Sequence, residues 1–334
     1  GLSMFLLLYV LLPFLSIMIM YISDLVQYKE PWIDYRPYIV FFGITIPVTI
    51  FIIVFGLYLP SVLPKYHPFS QNPVTLSIMN IVNSIASLTN IPDYLYSSLM
   101  VTFALFVATL PSAIYTLFIS REYKVVYGIT KFLRDLVEIR KTGLSPERSV
   151  IELSQNNYGV FSKHLKKVAM QLSLGISLSR IIGGLFKKII VWRARVLLYM
   201  LTDAIEVGGG TIENLENLAW FAENVDAIEE EKKKSLRTLL IVPYVGAIIV
   251  IITITLLASF LGSLVIRVAA YKAAAETTLP SIILNIYLMG LVAGKVSEGS
   301  IAAGFKHAAI LMLIAMLVLL MSPYMGGAFT SITG

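Results

Sequence analysis

The sequence predicts an all-α polytopic membrane protein in which a six-helix cytoplasmic domain is inserted between transmembrane helices. Three observations carry this. The chain is 57% hydrophobic and 14% charged, with mean hydropathy +0.81, whereas about a quarter of the residues of a soluble protein are charged. Uncharged runs cover 1–23, 37–64, 94–120, 238–266, 277–294 and 308–334, and several exceed the roughly 20 apolar residues that cross a bilayer as a helix. Between them, residues 121–237 hold 19 of the 26 Lys+Arg and 14 of the 20 Asp+Glu.

The N-terminal region, 1–120, is expected to be a transmembrane region with spans near 2–23, 38–59 and 94–119. Residues 1–23 lack a basic leader and are read as a span rather than a signal peptide. Pro13 and Pro47 sit inside the first two spans and are able to bend them. The β-branched bias of the second would favour a strand in water, but a lone strand leaves its backbone unpaired in lipid. Pro60, Pro64, Pro68 and Pro73 break up the chain that follows. Ile78, Ile81, Val82 and Ile85 then recur at helical spacing, which predicts an interfacial helix over 74–91, with a polar-lined span as the alternative.

Six helices are expected in 121–237, near 122–141, 146–156, 159–173, 177–190, 192–207 and 212–237. Gly143 suits a helix C-cap, Ser145 an N-cap and Pro146 a first helical position. The turn Gly208-Gly209-Gly210-Thr211 ends one helix, and Thr211 caps the next. The last helix continues through Glu229-Glu230-Glu231-Lys232-Lys233-Lys234 toward an apolar run that meets no Pro before Pro243. One long helix from the domain into the membrane is expected. The C-terminal region, 238–334, is read with spans near 239–266, 277–294 and 308–326, the last two forming a hairpin joined by Lys295–His307. Gly290 and Gly294 have the spacing that allows close helix contact in lipid.

The 19 basic against 14 acidic residues of 121–237 give it a net charge of +5. That excess favours the cytoplasmic side of a plasma membrane, near anionic lipid headgroups, rather than a nucleic-acid role. With no Cys in the chain, disulfides, thiolate catalysis and Cys metal sites are excluded. The three His are far apart, and no Walker A, HExxH or GxSxG pattern occurs, so no catalytic residue, cofactor or metal site is expected. The clear stretches of the spans carry no Lys, Arg, Asp or Glu, which weakens an ion-coupled transporter. A channel or secondary transporter for a neutral solute is the alternative function, and a membrane enzyme a more distant third. Glu152, Asp203 and Glu206 are read as interhelical partners for Arg134, Arg193 or Arg195. A loose basic series, Lys163, Lys166, Lys167, Arg180, Lys187, Lys188, Arg193 and Arg195, is either a solvated surface or a face for an acidic partner.

An ordered string of segments resembles a known family. It begins with Phe132-Leu133-Arg134-Asp135-Leu136, Gly143-Leu144-Ser145, Tyr158-Gly159 and Gln171-Leu172-Ser173-Leu174-Gly175. Asp203-Ala204-Ile205-Glu206-Val207-Gly208-Gly209-Gly210-Thr211, Leu218-Ala219, Phe221 and Glu229-Glu230-Glu231 follow. Leu236-Arg237, Pro243-Tyr244-Val245-Gly246 and the hairpin from Gly290 to His307 complete it. The string is similar to the type II secretion F family, the platform proteins of type IV pilus-like machines. It is closest to the archaeal branch, which includes archaellum assembly membrane proteins. The resemblance implies a non-catalytic, homodimeric platform that contacts a hexameric cytoplasmic ATPase and pilin- or archaellin-like subunits. It implies ATPase-facing residues at Lys163, Lys166, Lys167, Lys187, Lys188 and Arg193, and at the turn formed by Glu206, Gly208, Gly209 and Gly210. Many family members carry two copies of the helical domain. One is found here, which reads as the C-terminal half of a longer protein or as a short single-domain platform.

Overall fold

The computed structural model describes residues 6–27, 35–54, 72–74, 76–77, 80–81, 84, 87, 91–122, 124–186, 188–207, 209–263 and 268–324. All regular structure in them is helical. Six helices are long and apolar enough to cross a membrane, at Leu7–Val26, Arg36–Ile53, Asp93–Phe118, Ile212–Leu261, Ala275–Glu298 and Ile301–Leu320. The chain is a multi-pass membrane protein. Its described residues divide into two compact units, one drawn from 6–27, 35–116 and 236–324, the other from 117–235.

In the membrane unit, α1 (Leu7–Val26) and α2 (Arg36–Ile53) share a local feature. Each contains a π-helical turn, Leu7–Leu11 and Phe41–Thr45, that ends two residues before Pro13 or Pro47. Proline lacks the N–H that would close the preceding helical bond, and a widened turn absorbs the defect. The prolines therefore widen these helices instead of ending them. The interfacial helix expected over 74–91 lies largely outside the described residues.

Helix α3 (Tyr96–Glu122), preceded by a 3-10 turn at Asp93–Leu95, buries a seam of small hydroxyls. Ser98, Thr102, Thr109, Ser112 and Thr116 recur at spacings of three, four and seven residues and are all buried. Across it, Thr45 and Ser112 share a 3.0 Å hydrogen bond, and Thr109 donates to the Tyr287 hydroxyl at 3.2 Å. Thr102, Thr109 and Thr116 also donate to carbonyls of their own helix, and side chains of this size let helices approach closely in lipid.

The second unit contains α4 (Lys124–Lys141), α5 (Pro146–Leu153), a 3-10 turn at Gly159–Phe161, α6 (Ser162–Ser173), α7 (Leu178–Leu185) and α8 (Trp192–Glu206). Most of α9 (Ile212–Thr238) completes it. One core runs through all of them, from Ile129, Phe132, Leu133 and Leu136 of α4 through Phe161, Leu165 and Leu198 to Leu215 and Leu218 of α9. Ser145 caps α5 by accepting from the Arg148 amide at 3.3 Å, with Pro146 in the first position.

The long helix expected from 212 into the membrane runs from Ile212 to Leu261 with one local break, at 239–240. Helix α9 ends at Thr238, and α10 spans Ile241–Ser263. At the junction, the Leu239 amide bonds to the Leu236 carbonyl at 3.0 Å and the Leu240 amide to the Arg237 carbonyl at 3.1 Å. These tight i to i−3 bonds replace α-helical ones because the Pro243 ring collides with the carbonyl four residues before it, at Leu239.

Helices α11 (Val268–Glu298) and α12 (Ile301–Leu320) form the C-terminal hairpin. A Cβ on Gly294 would lie 2.1 Å from the Gly304 amide nitrogen, and one on Gly290 2.3 Å from the Ala308 Cα. The two backbones touch where only glycine fits, an intrachain role for this small-residue spacing. The expected connection Lys295–His307 shrinks to Gly299 and Ser300, and the last span begins near 301 instead of 308. Lys295 and Lys306 remain within helices because each is neutralised in place, by Asp24 and Glu298 respectively, both at 2.5 Å.

Candidate functional site: the basic face of the helical domain

A cluster of positive charge in the second unit is built on α6. Leu165, Val168 and Ala169 point into the core, which turns Lys163, Lys166 and Lys167 to solvent. Lys188, exposed in the turn after α7, approaches the same place. Burial first, and then the positive charges of Lys167, Lys163 and Lys188, push the His164 imidazole below its ordinary pKa. Three of the expected basic residues therefore converge on His164, and Lys166 extends their face by one helical position. Among the described residues, none of the four lysines is held in an ion pair. The same face of α6 continues into two apolar side chains, Met170 at 61% and Leu174 at 73% exposure. The spacing 163, 167, 170, 174 is the sequence signal for these two side chains.

The other expected residues have structural partners. Arg193 of α8 pairs with Glu229 of α9 at 3.3 Å, both half-buried, and Glu229 also meets Lys232 at 3.7 Å. Arg134 pairs with Glu223 at 3.2 Å. Carboxylates of α9, Glu223 and Glu229, thus meet these two arginines. Glu206 instead accepts from the Ser179 amide at 2.8 Å, capping the first turn of α7 from the end of α8. Gly209 and Gly210 have φ of +65° and +62°, and a Cβ on Gly210 would lie 2.4 Å from the Pro146 Cγ. Lys187 and Gly208 lie outside the described residues.

The membrane unit holds a second polar cluster, centred on the stretch that the sequence predicts to be the connection Lys295–His307. His307 is buried on α12, and its Nδ1 lies 2.8 Å from the Tyr244 hydroxyl of α10. Its Nε2 faces Glu298 of α11 at 3.5 Å, while Glu298 holds Lys306. Beside this, buried Lys295 donates to Asp24 at 2.5 Å and to the Gly299 carbonyl at 3.0 Å, and Gln27 donates to the Val296 carbonyl at 2.9 Å. Among the described residues, no group of three or more His, Cys, Asp or Glu could hold a metal ion.

Residues 132–258 match the family model described as Type II secretion system (T2SS), protein F. That stretch is less than half of the chain, and it runs from α4 through α9 into α10. No curated protein and no solved structure matches the chain.

Proposed function

We propose that this chain is the membrane platform of an archaeal type IV pilus-like machine, an archaellum or a pilus. It couples a cytoplasmic assembly ATPase to filament assembly or rotation and has no catalytic activity of its own. The observation that carries this reading is the family match over 132–258, which takes in both the helical domain and the helix that leads into the membrane. The unpaired lysines of α6 add a surface suited to an acidic partner, since exposed charge guides encounter and selects among partners. In this reading residues 121–237 face the cytoplasm, the platform is a homodimer, and its other partners are pilin- or archaellin-like subunits and membrane lipids. Lys163, Lys166, Lys167 and Lys188 would meet the ATPase. Arg193, Glu206 and the 208–210 turn would hold the shape of that surface.

The test is capture of the hexameric ATPase encoded beside this protein by the full chain in lipid nanodiscs, at about 150 mM salt. Binding by the wild type, lost in Lys163→Glu/Lys166→Glu/Lys167→Glu, supports both the platform role and this face. Binding retained by the variant keeps the platform and moves the ATPase elsewhere. No binding by a folded wild-type chain, with solute flux through it in proteoliposomes, would replace the platform by a neutral-solute transporter.

A further inference from the structure

The α11–α12 hairpin and α10 differ in how they are held. Between α11 and α12 the backbones are in contact at Gly290, Gly294 and Gly304, where a Cβ would strike main-chain atoms at 2.1–2.6 Å. Main chain cannot yield as a side-chain tip can, so the hairpin is one rigid piece. Helix α10 meets that piece less intimately. A Cβ on its Gly246 would find only the Met289 methyl, at an ordinary 3.7 Å. At the N-terminal end of α10 the polar contact with the hairpin is the Tyr244–His307 hydrogen bond of 2.8 Å, while at the other end Ser259 donates to the Ser322 carbonyl, just past α12, at 3.2 Å.

We propose that Tyr244, His307 and Glu298 form a breakable latch that holds the N-terminal end of α10 against the α11–α12 hairpin. Its construction suits opening. When Tyr244 leaves, the charges stay compensated, because Glu298 keeps Lys306 on the hairpin itself. His307 turns from one neighbour to the other, its Nε2 already lying 3.5 Å from the Glu298 carboxylate. A hinge is in place immediately before the latch, where Leu239 and Leu240 form the tight turn forced by Pro243. Changes of this kind localise at a few element-terminal residues. The latch is thus a two-state element at the point where the chain from α9 enters α10.

The chain contains no Cys, so single reporter thiols can be introduced without background. Ala247→Cys places one on α10 at a position 1% exposed, and Leu311→Cys places one inside the hairpin at a position also 1% exposed. Maleimide alkylation of each is followed in the full chain in nanodiscs, with and without Tyr244→Phe, which removes one oxygen and leaves the ring in place. The expected result is a rise of about fivefold at the α10 thiol, the scale of one lost intramolecular hydrogen bond, with the hairpin thiol unchanged. His307→Phe should give the same rise, and adding it to Tyr244→Phe should give no more. An unchanged α10 thiol, a parallel rise at both thiols, or additive effects of the two substitutions would each overturn the latch. A thermal melt of every variant separates local opening from loss of the fold.

Discussion

The Arg140 guanidinium reaches across 70 residues of sequence to the Gly210 carbonyl, donating from Nε at 3.2 Å and from Nη2 at 2.8 Å. It also donates from Nη1 to the Leu144 carbonyl. One side chain at the end of α4 thereby ties the turn before α5 to the turn before α9. Gly210 fits this arrangement for two reasons: its φ is +62°, and Pro146 occupies the space where a Cβ would go. Gly210→Ala is expected to cost about 2–4 kcal/mol, combining backbone strain and overpacking. Arg140→Ala is expected to cost about 2 kcal/mol, since charge-assisted bonds to two carbonyls are lost. Chemical denaturation of the full chain, followed by tryptophan fluorescence, measures both. If Gly210→Ala were neutral, Pro146 would have room to move that its place at the head of α5 denies it.

His164 reports the field of the basic face. Burial and the nearby Lys167, Lys163 and Lys188 hold its folded-state pKa below the ordinary value of 6.5. The unfolded chain therefore binds the proton more readily, and protonation favours unfolding. The stability contributed by neutral His164 is complete above pH 6.5 and declines as pH falls from there toward the lower folded-state value. Lys163→Ala/Lys167→Ala should raise the His164 midpoint without restoring it fully, because burial, the larger cause, remains. Histidine-selective NMR of the full chain across about pH 4–8 gives the result. An unmoved midpoint would show that the lysines do not converge on this ring.

The parts of the fold that sequence conveyed were those dictated by hydropathy and local chemistry. Six apolar stretches read as six spanning helices, and Ser145-Pro146 and the glycine turn at 208–210 read as helix boundaries because cap chemistry is local. The break at Leu239–Leu240 was missed because its cause, Pro243, acts four residues upstream through a ring-to-carbonyl clash. The hairpin was misjudged because Lys295 and Lys306 look like loop residues until their counter-ions are known. Asp24 is 271 residues away from Lys295, and no local pattern announces it. For the basic face, the lysines were evident in the sequence, but the arrival of Lys188 beside α6 and the commitment of Arg193 to Glu229 required the tertiary structure.

The Asp24–Lys295 pair is asymmetric in burial, with side-chain exposures of 37% and 7%. Losing the counter-ion is therefore worse for Lys295 than for Asp24. Asp24→Asn removes the counter-charge and leaves a buried ammonium with neutral acceptors, the Gly299 carbonyl among them, and should destabilise the protein by about 3 kcal/mol. Lys295→Met leaves a carboxylate that water can reach, and should cost about 1 kcal/mol. The double variant Asp24→Asn/Lys295→Met should recover most of the loss from Asp24→Asn alone. Detergent-exchange unfolding of the full chain ranks the three, and an equal cost for the two single variants would mean that Lys295 is better hydrated than its burial indicates.

Gly294 gives the most severe single substitution expected in the membrane unit. Its missing Cβ would lie 2.1 Å from the Gly304 nitrogen and 2.2 Å from the Gly304 Cα, so no rotamer change can make room. Even Gly294→Ala must separate α11 from α12, at a cost at or above the roughly 1–3 kcal/mol typical of overpacking. Separation also pulls Glu298 away from Lys306 and His307, since those contacts cross the same hairpin one turn further along. A loss of packing on this scale should appear as a fall of several degrees in melting temperature and a lower yield of monodisperse protein. Gly246→Ala, on α10, is the matched control, because its added methyl meets only the flexible end of Met289 at 3.7 Å. That substitution should be tolerated within about 0.5 kcal/mol and even favoured by helix propensity. Equal melting temperatures for Gly294→Ala and Gly246→Ala would mean that the hairpin is not closed at Gly304.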